Sequence, residues 1–306
     1  MPEPKRLIDI HSHIIFGADD GAQSLDEAIE LLKLDRDEGA YAVFATPHYG
    51  AENVYTPEAS LVMQKFELLK ERAAKEVPEV NLYLGTEWYC AYTLSRRIRQ
   101  RLAFRMNDTD YILTEFLEYT DLHGDHYEDA NRIFTNLMEL KSQGFRPILA
   151  HPERYTALQN DWDLAKKLHD SGILLQVNAY DLELNMSLKT KELAQWMAKE
   201  KLISFIGSDM HGLPPKRPPR MKEGIDWLYA NTDEAYADAV SFGNAEKLLI
   251  EKKNLKPAKT MSSMTIGEAR EAEKAFNDEL RIFKEAAAMN CREDPPGGNR
   301  TQNSEY

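Results

Sequence analysis

Cysteine is scarce in this chain: Cys90 and Cys291 are the only two. Two thiols cannot build a disulfide framework or a thiolate-rich metal site, and their scarcity fits a reducing compartment. Long apolar runs are missing too. No stretch is long enough to cross a bilayer, and the opening MPEPKRLIDIHSH lacks the apolar core of a secretory signal. The expectation is a cytoplasmic protein that is not inserted in a membrane. Positive charge is also in deficit. Against 51 Asp and Glu stand 38 Lys and Arg, a net charge of −13, which argues against nucleic acid as a partner. An anionic substrate is still admissible if its site brings its own cations. There is no internal repeat. What remains is ordinary: 42% hydrophobic and 29% charged residues over 306 positions, enough for one large soluble domain or two small ones.

The informative stretch is Leu7-Ile8-Asp9-Ile10-His11-Ser12-His13. Leu7, Ile8 and Ile10 favour a strand, and it stops at two histidines two residues apart. Alternate residues of an extended chain point the same way, so His11 and His13 can aim both imidazoles at one point. Alone, such a pair is as well explained by two surface histidines at a strand end. The rest of the chain decides between the two, because apolar run after apolar run ends in a group that can bind metal.

Ser24-Leu25-Asp26-Glu27 reads as an N-cap with an acidic first turn, and the stripe Ala28, Leu31, Leu32, Leu34 predicts a helix ending near Gly39. The strand Tyr41–Ala45 runs into Thr46-Pro47-His48, and an amphipathic helix follows from about Pro57 to Glu76. Strands over Asn81–Glu87 and Tyr111–Glu115 each end in a carboxylate. A basic helix spans Ser95–Leu102, and another helix spans Tyr127–Ser142. The strand Arg146–Ala150 ends in His151-Pro152-Glu153-Arg154-Tyr155. A helix over Trp162–Asp170 precedes the strand Ile173–Val177, which ends at Asn178. A helix over Leu193–Glu200 leads to the strand Leu202–Ile206 and then Gly207-Ser208-Asp209-Met210-His211, with helices following to about Lys253. Alternation of this kind predicts a parallel sheet. Polar ends on every one of seven strands point to a closed α/β barrel, whose site is built from several strand ends, over an open sheet with one switch point.

The strand-end groups are His11, His13, Asp20, His48, Glu87, Glu115, His151, Asp209 and His211. Five imidazoles and four carboxylates are too many for one ion. Carboxylates can bridge, so a cluster of two or three ions is expected. With no thiolate, the donors suit Mn, Mg, Fe, Zn or Co. Such clusters activate water and clamp the oxygens of a transferring phosphoryl group.

His11-x-His13 with Asp20-Gly21, Thr46-Pro47-His48, Gly85-x-Glu87, Glu115-Phe116, His151-Pro152-Glu153-Arg154-Tyr155 and Ser208-Asp209-x-His211 resemble the polymerase-and-histidinol-phosphatase (PHP) superfamily. Over roughly residues 6–255 the chain is similar to the bacterial manganese-dependent protein-tyrosine phosphatases of capsule and exopolysaccharide operons. The resemblance implies a distorted seven-stranded TIM-like barrel holding manganese, and a metal-held hydroxide that attacks phosphotyrosine on a tyrosine autokinase governing polysaccharide synthesis. It puts His11, His13, Glu87 and Asp209 on one ion, and has Glu87 bridge to a second held by Glu115 and His151. Asp20, His48 and His211 fall around the third. Arg154 and Arg217 match phosphate-binding arginines. The expected organisation is a phosphatase barrel over 1–257, a helical extension over 258–290 and a disordered tail over 291–306, in a chain able to form a homo-oligomer.

Three rivals stand beside this reading. One is a small-molecule PHP phosphatase of the histidinol-phosphate type, and another is a barrel kept only for binding. The third is written in Cys90-Ala91-Tyr92-Thr93-Leu94-Ser95-Arg96, the C-x5-R spacing of cysteine-dependent phosphatases. Such loops need glycine for their amides to turn inward, and this one has none. Tyr49, Trp88 and Tyr89 stand beside the proposed ligands, where they either flank an aromatic substrate or pack.

Overall fold

A computed structural model describes residues 6–50, 55–90, 94–116, 130–184 and 187–250, with Arg96 as backbone only. Its strand segments are β1 (Leu7–Ser12), β2 (Ala40–Ala45), β3 (His48–Tyr49), β4 (Asn81–Leu84), β5 (Glu87–Tyr89), β6 (Tyr111–Glu115), β7 (Arg146–Ala150), β8 (Leu174–Asn178) and β9 (Phe205–Gly207). The helices are α1 (Leu25–Glu38), α2 (Ala59–Glu76), α3 (Leu94–Arg99), α4 (Ala130–Ser142), α5 (Thr156–Asn160), α6 (Trp162–Asp170), α7 (Ala179–Glu183), α8 (Leu188–Lys199), α9 (Lys222–Asn231), α10 (Glu234–Asp238) and α11 (Glu246–Ile250).

Every ladder is parallel. β1, β2 and β4 form one sheet, and β3, β5, β6, β7, β8 and β9 form another in that order. The division comes from two local breaks. Thr46-Pro47 separates β2 from β3, where proline has no N–H to donate. Gly85-Thr86 separates β4 from β5. Across the breaks the Gly85 amide still donates to the Ala45 carbonyl at 2.9 Å, and the Glu87 amide to the Pro47 carbonyl at 3.2 Å. β2 with β3 and β4 with β5 are therefore two interrupted strands, and nine segments make seven staves. The first and last staves meet at their C-terminal ends. Ser12 bridges Met210, and the Asp209 amide donates to the His11 carbonyl at 2.8 Å. The result is the distorted seven-stranded α/β barrel that the alternation predicted.

Side chains alternate between two cores, as strand geometry requires. Ile8, Ile10, Phe44, Leu113, Ile148 and Phe205 fill the inside, with Leu248 of α11 in the same cluster. Leu7, Val43, Ile112, Leu149, Leu175 and Ile206 pack outward against helix residues such as Leu31, Phe66, Leu137 and Leu193. The first helix starts and stops as its sequence dictates. The Ser24 side chain accepts from the Glu27 amide, the Glu27 carboxylate accepts from the Gln23 amide, and Gly39 ends the helix at φ 115°.

Some boundaries differ from expectation. The last strand starts at Phe205, not Leu202, because the Leu202 amide still bonds back to the Met197 carbonyl of α8 and the Ile203 amide donates to the Tyr236 hydroxyl at 3.0 Å instead of a neighbouring strand. The helix expected over Leu193–Glu200 begins a turn and more earlier, at Leu188 behind the Ser187 cap. α5 and α7 were not foreseen, since helices of five residues carry too little periodicity to register. Residues 127–129 of the fourth helix, the 258–290 extension and the 291–306 tail lie outside the described residues.

Candidate metal centre

All nine side chains singled out from the sequence come together at the C-terminal mouth of the barrel. Strict alternation from the inward Ile8 and Ile10 would turn His11 outward, but the β1–β2 register shifts between Asp9 and Ser12. His11 and His13 then meet, Nε2 to Nε2, at 3.1 Å. His48 and Glu87 face each other across the β3–β5 ladder, and Glu115 ends β6. His151 and Asp209 follow β7 and β9 in left-handed backbone, at φ 33° and 52°. Such turns are strained for residues with a Cβ and recur at functional sites.

Three overlapping groups of donors emerge. His11, His13 and Glu87 form one, with Glu87 Oε2 at 3.1 and 3.2 Å from the two imidazoles. Asp209 Oδ1 stands 3.6 and 3.4 Å from the same two rings. His48, Glu87 and Glu115 form the second, and His151 Nε2 lies 3.1 Å from Glu87 Oε1 and 3.5 Å from Glu115 Oε1. His13, Asp20, His48 and His211 form the third. Glu87 is common to two groups, and so are His13 and His48. Asp20 is the outermost member, with a side chain 50% exposed and Oδ1 3.7 and 3.6 Å from His48 and His211.

The residues behind these donors fix which atoms face the centre. Asp19 Oδ2 accepts from His13 Nδ1 at 2.8 Å and from the His48 amide at 2.9 Å. Gln176 Oε1 accepts from His11 Nδ1 at 2.9 Å while its amide nitrogen donates to Asn178 Oδ1. Each Nδ1 is thus set against a carboxylate or amide oxygen, which turns the two Nε2 atoms toward one spot. On Asp209, Oδ2 accepts from Arg154 at 3.1 Å, Asn178 at 2.9 Å and Arg217 at 3.0 Å. Three donors occupy Oδ2, which leaves Oδ1 for the side of the histidines.

This arrangement fits cations. Facing lone pairs at 3.1 Å repel unless a positive charge lies between them. His48 Nδ1, Glu87 Oε2, Glu115 Oε2 and His151 Nδ1 are buried without a hydrogen-bond partner, and such atoms are costly unless something binds them. In the ion-free chain protons answer part of the need. Burial disfavours charge on His13, but Asp19, Asp209 and Glu87 outweigh it and raise its pKa well above the usual imidazole range. Burial first, and the Glu87 charge second, push Glu115 up to about 8. Burial works against ionised Glu87 as well, yet His11 and His48 hold it well below the usual carboxylate range. The set is imidazole nitrogen and carboxylate oxygen without thiolate, which suits a borderline or hard divalent ion.

Arg154 and Arg217 both reach this centre, with side chains 26% and 38% exposed. The rival nucleophile does not. Cys90 is 7% exposed in the outer core, and burial pushes its thiol up, away from thiolate. Residues 91–93 and the Arg96 side chain of that motif lie outside the described residues. Trp88 is fully buried, donating to the Phe104 carbonyl at 3.0 Å, and Tyr49 packs edge-on against it. These two are packing residues. Tyr89 instead stacks on His48, ring centres 5.1 Å apart, and Tyr55 stacks on it at 5.4 Å. Sequence reasoning passed over Asp19, Gln176, Asp181 and Tyr55, and named Asn178 only as a strand end, not as a partner of Asp209. Asp19 could have been suspected from its place beside Asp20.

A family model described as "Capsular polysaccharide synthesis, CpsB/CapC" matches residues 7–250. The tyrosine-protein phosphatase CpsB of Streptococcus agalactiae is 28% identical over 249 residues, covering 79% of this chain and 98% of that one. The tyrosine-protein phosphatase YwqE of Bacillus subtilis is 29% identical over 208 residues, 68% of this chain and 78% of its own. Among solved structures, one from a study of Bacillus subtilis YwqE and Streptococcus pneumoniae CpsB, described there as metal-dependent tyrosine phosphatases, superposes with a TM-score of 0.68 at 26% identity. It covers 79% of this chain and 94% of that one. A dihydropyrimidinase from Brevibacillus agri shares the fold alone, with a TM-score of 0.51 at 8% identity over 79% of this chain and 70% of that one.

Proposed function

The chain belongs to the CpsB/CapC family of capsular polysaccharide synthesis, and from that premise we infer that it is a metal-dependent protein-tyrosine phosphatase. The observation that carries the inference is Asp209. One of its oxygens faces the histidine cluster while the other is held by two arginines that solvent can reach. Phosphate-binding cations and metal donors would thus meet on one residue, the arrangement a metal-assisted phosphoryl transfer can use.

His11, His13, Glu87 and Asp209 would hold one ion. Glu87, Glu115 and His151 would hold a second, and Asp20, His48 and His211 a third. When bound, the ions supply the acidity that makes water nucleophilic at neutral pH and charge that offsets the phosphoryl oxygens. The chain does the rest. Asp19 and Gln176 keep the His11 and His13 rings turned inward. Arg154 and Arg217 bind the phosphoryl oxygens and stabilise the charge that grows on them during transfer. A tyrosine phenol ionises near pH 10, so its phenolate leaves with less help from an acid than an alkoxide would.

Manganese is the ion we favour, with Mg, Fe, Zn and Co as the alternatives the donors admit. The substrate we propose is phosphotyrosine on a tyrosine autokinase of the polysaccharide machinery, met in the cytoplasm, with the enzyme free to self-associate. No helix among the described residues is long and apolar enough to cross a membrane. The test is hydrolysis of a tyrosine-phosphorylated protein beside histidinol phosphate, before and after chelation, with each metal added back. Turnover of the phosphoprotein that chelator removes and manganese restores is expected. Preference for histidinol phosphate, or activity indifferent to chelator, would overturn the reading.

A further inference from the structure

A guanidinium is planar, with five N–H groups in a fixed fork, so pinning one edge decides what the others can reach. Arg154 is pinned along its side edge. Nε donates to Asp181 Oδ2 at 2.7 Å, and Nη2 donates to Asp181 Oδ1 at 3.4 Å. Nη1 reaches Asp209 Oδ2 at 3.1 Å. The N–H groups not taken by Asp181 are those of Nη1 and the outer hydrogen of Nη2, the edge suited to a two-point grip on a phosphoryl group.

Asp181 is itself firmly placed. Its side chain is fully buried. It lies in the first turn of α7, three residues past Asn178, whose amide donates to Glu153 Oε1 at 2.9 Å and whose side chain donates to Asp209. α7 packs so closely on α9 that a Cβ at Gly224 would fall 2.1 Å from the Ala179 carbonyl oxygen. Asp181 thus sits on rigid backbone while Arg154 is a long side chain with freedom to lose.

We infer that Asp181 is the positioning residue for Arg154, holding its outer N–H edge toward the centre for a phosphoryl group; the inference rests on the phosphatase reading above. Asp181 touches no substrate. It acts by sparing Arg154 the search for the productive rotamer, and a misplaced cation at such a site costs on the order of a hundredfold.

A double-mutant cycle on the full-length, manganese-loaded chain tests this. Asp181→Ala, Arg154→Ala and the double variant are compared for metal content, kcat and KM on an aryl phosphate, and affinity for inorganic phosphate by calorimetry. Asp181→Ala should keep its metal, bind phosphate about tenfold to a hundredfold more weakly, and add almost nothing on top of Arg154→Ala. Asp181→Asn keeps the shape and one acceptor, so it should fall between, and it carries the cycle if the alanine variant does not fold. An undiminished Asp181 effect in the Arg154→Ala background would overturn the assignment, as would unchanged phosphate affinity or loss of metal. Should the wild type bind phosphate without hydrolysing the aryl ester, the phosphatase reading fails while the cycle on phosphate affinity still decides the role of Asp181. A wild type that does neither overturns both.

Discussion

Glu87 and Arg154 separate two things a residue can do at this centre. Glu87 lies within 3.2 Å of His11, His13, His48 and His151 and has one oxygen without a hydrogen-bond partner. Glu87→Gln keeps the shape but removes the charge, so metal content and turnover should both collapse. Arg154 touches one oxygen of one proposed ligand. Arg154→Ala should keep its metals and lose about a hundredfold or more in kcat/KM, with weaker inhibition by phosphate. Elemental analysis beside steady-state kinetics distinguishes the two, and equal metal loss in both variants would refute the division. Cys90→Ser should remain active, because a thiol buried in the outer core and held protonated is no nucleophile. The nine residues that meet at the mouth were legible in the sequence, most of them because they close or follow an apolar run, and Asp20 because Asp20-Gly21 belongs to the motif set. Their supports were not. Asp19 looks like a spare copy of Asp20 until the His13 ring is seen resting on it, and Asp181 is anonymous until α7 brings it under Arg154.

At the scale of elements, the centre depends on how closely the strand ends approach. A Cβ built on Gly207 at the end of β9 would lie 2.7 Å from His11 Cβ and 2.9 Å from the Gln176 side chain. Gly207→Ala must therefore push His11 off its seat while leaving most of the barrel untouched. Lower metal occupancy with a far-ultraviolet spectrum like wild type is the expected outcome; full occupancy would mean that β1 and β9 can separate without cost. The strands, and the long helices α1 and α2, could be read from periodicity, with the Ser24 cap marking the start of α1. The inward turn of His11 could not, because it needs a register shift that only pairing with β2 reveals.

For the whole molecule, the charge gathered at the barrel mouth couples metal binding to pH. Glu115, pushed up to about 8, carries a proton at neutral pH in the ion-free chain. A metal needs the carboxylate. Loading must therefore expel that proton, and for this group affinity should climb by about tenfold per pH unit below its pKa and level off above it. His13, raised as well, adds a proton in the same direction. Calorimetric titration in two buffers of different ionisation enthalpy counts the protons released, and pH-independent affinity would remove Glu115 from the ligand set. A second expectation concerns length. The family match ends at residue 250, and the streptococcal relative aligns over 98% of its own length. Deleting Met261–Tyr306 should leave turnover of a small aryl phosphate intact, and loss of that turnover in a folded truncation would show that the segment helps build the site.

The sequence by itself determined the parallel alternation of strands and helices, the nine imidazole and carboxylate residues that meet at the barrel mouth, and the thiol-poor, anionic composition. These are local properties, set by period, by turn chemistry and by which residue follows each apolar run. Tertiary structure alone decided which oxygen of Asp209 faces the histidines, that Asp19 and Gln176 meet the Nδ1 edges of His13 and His11, and that Asp181 holds Arg154. For all of these but the Asp19–His13 pair, which are six residues apart, the reason is distance along the chain. Gln176 meets His11 across 165 residues, and Asp209 meets Arg154 across 55. No local pattern encodes such contacts, because they exist only once β7, β8 and β9 lie side by side and β1 has closed against β9.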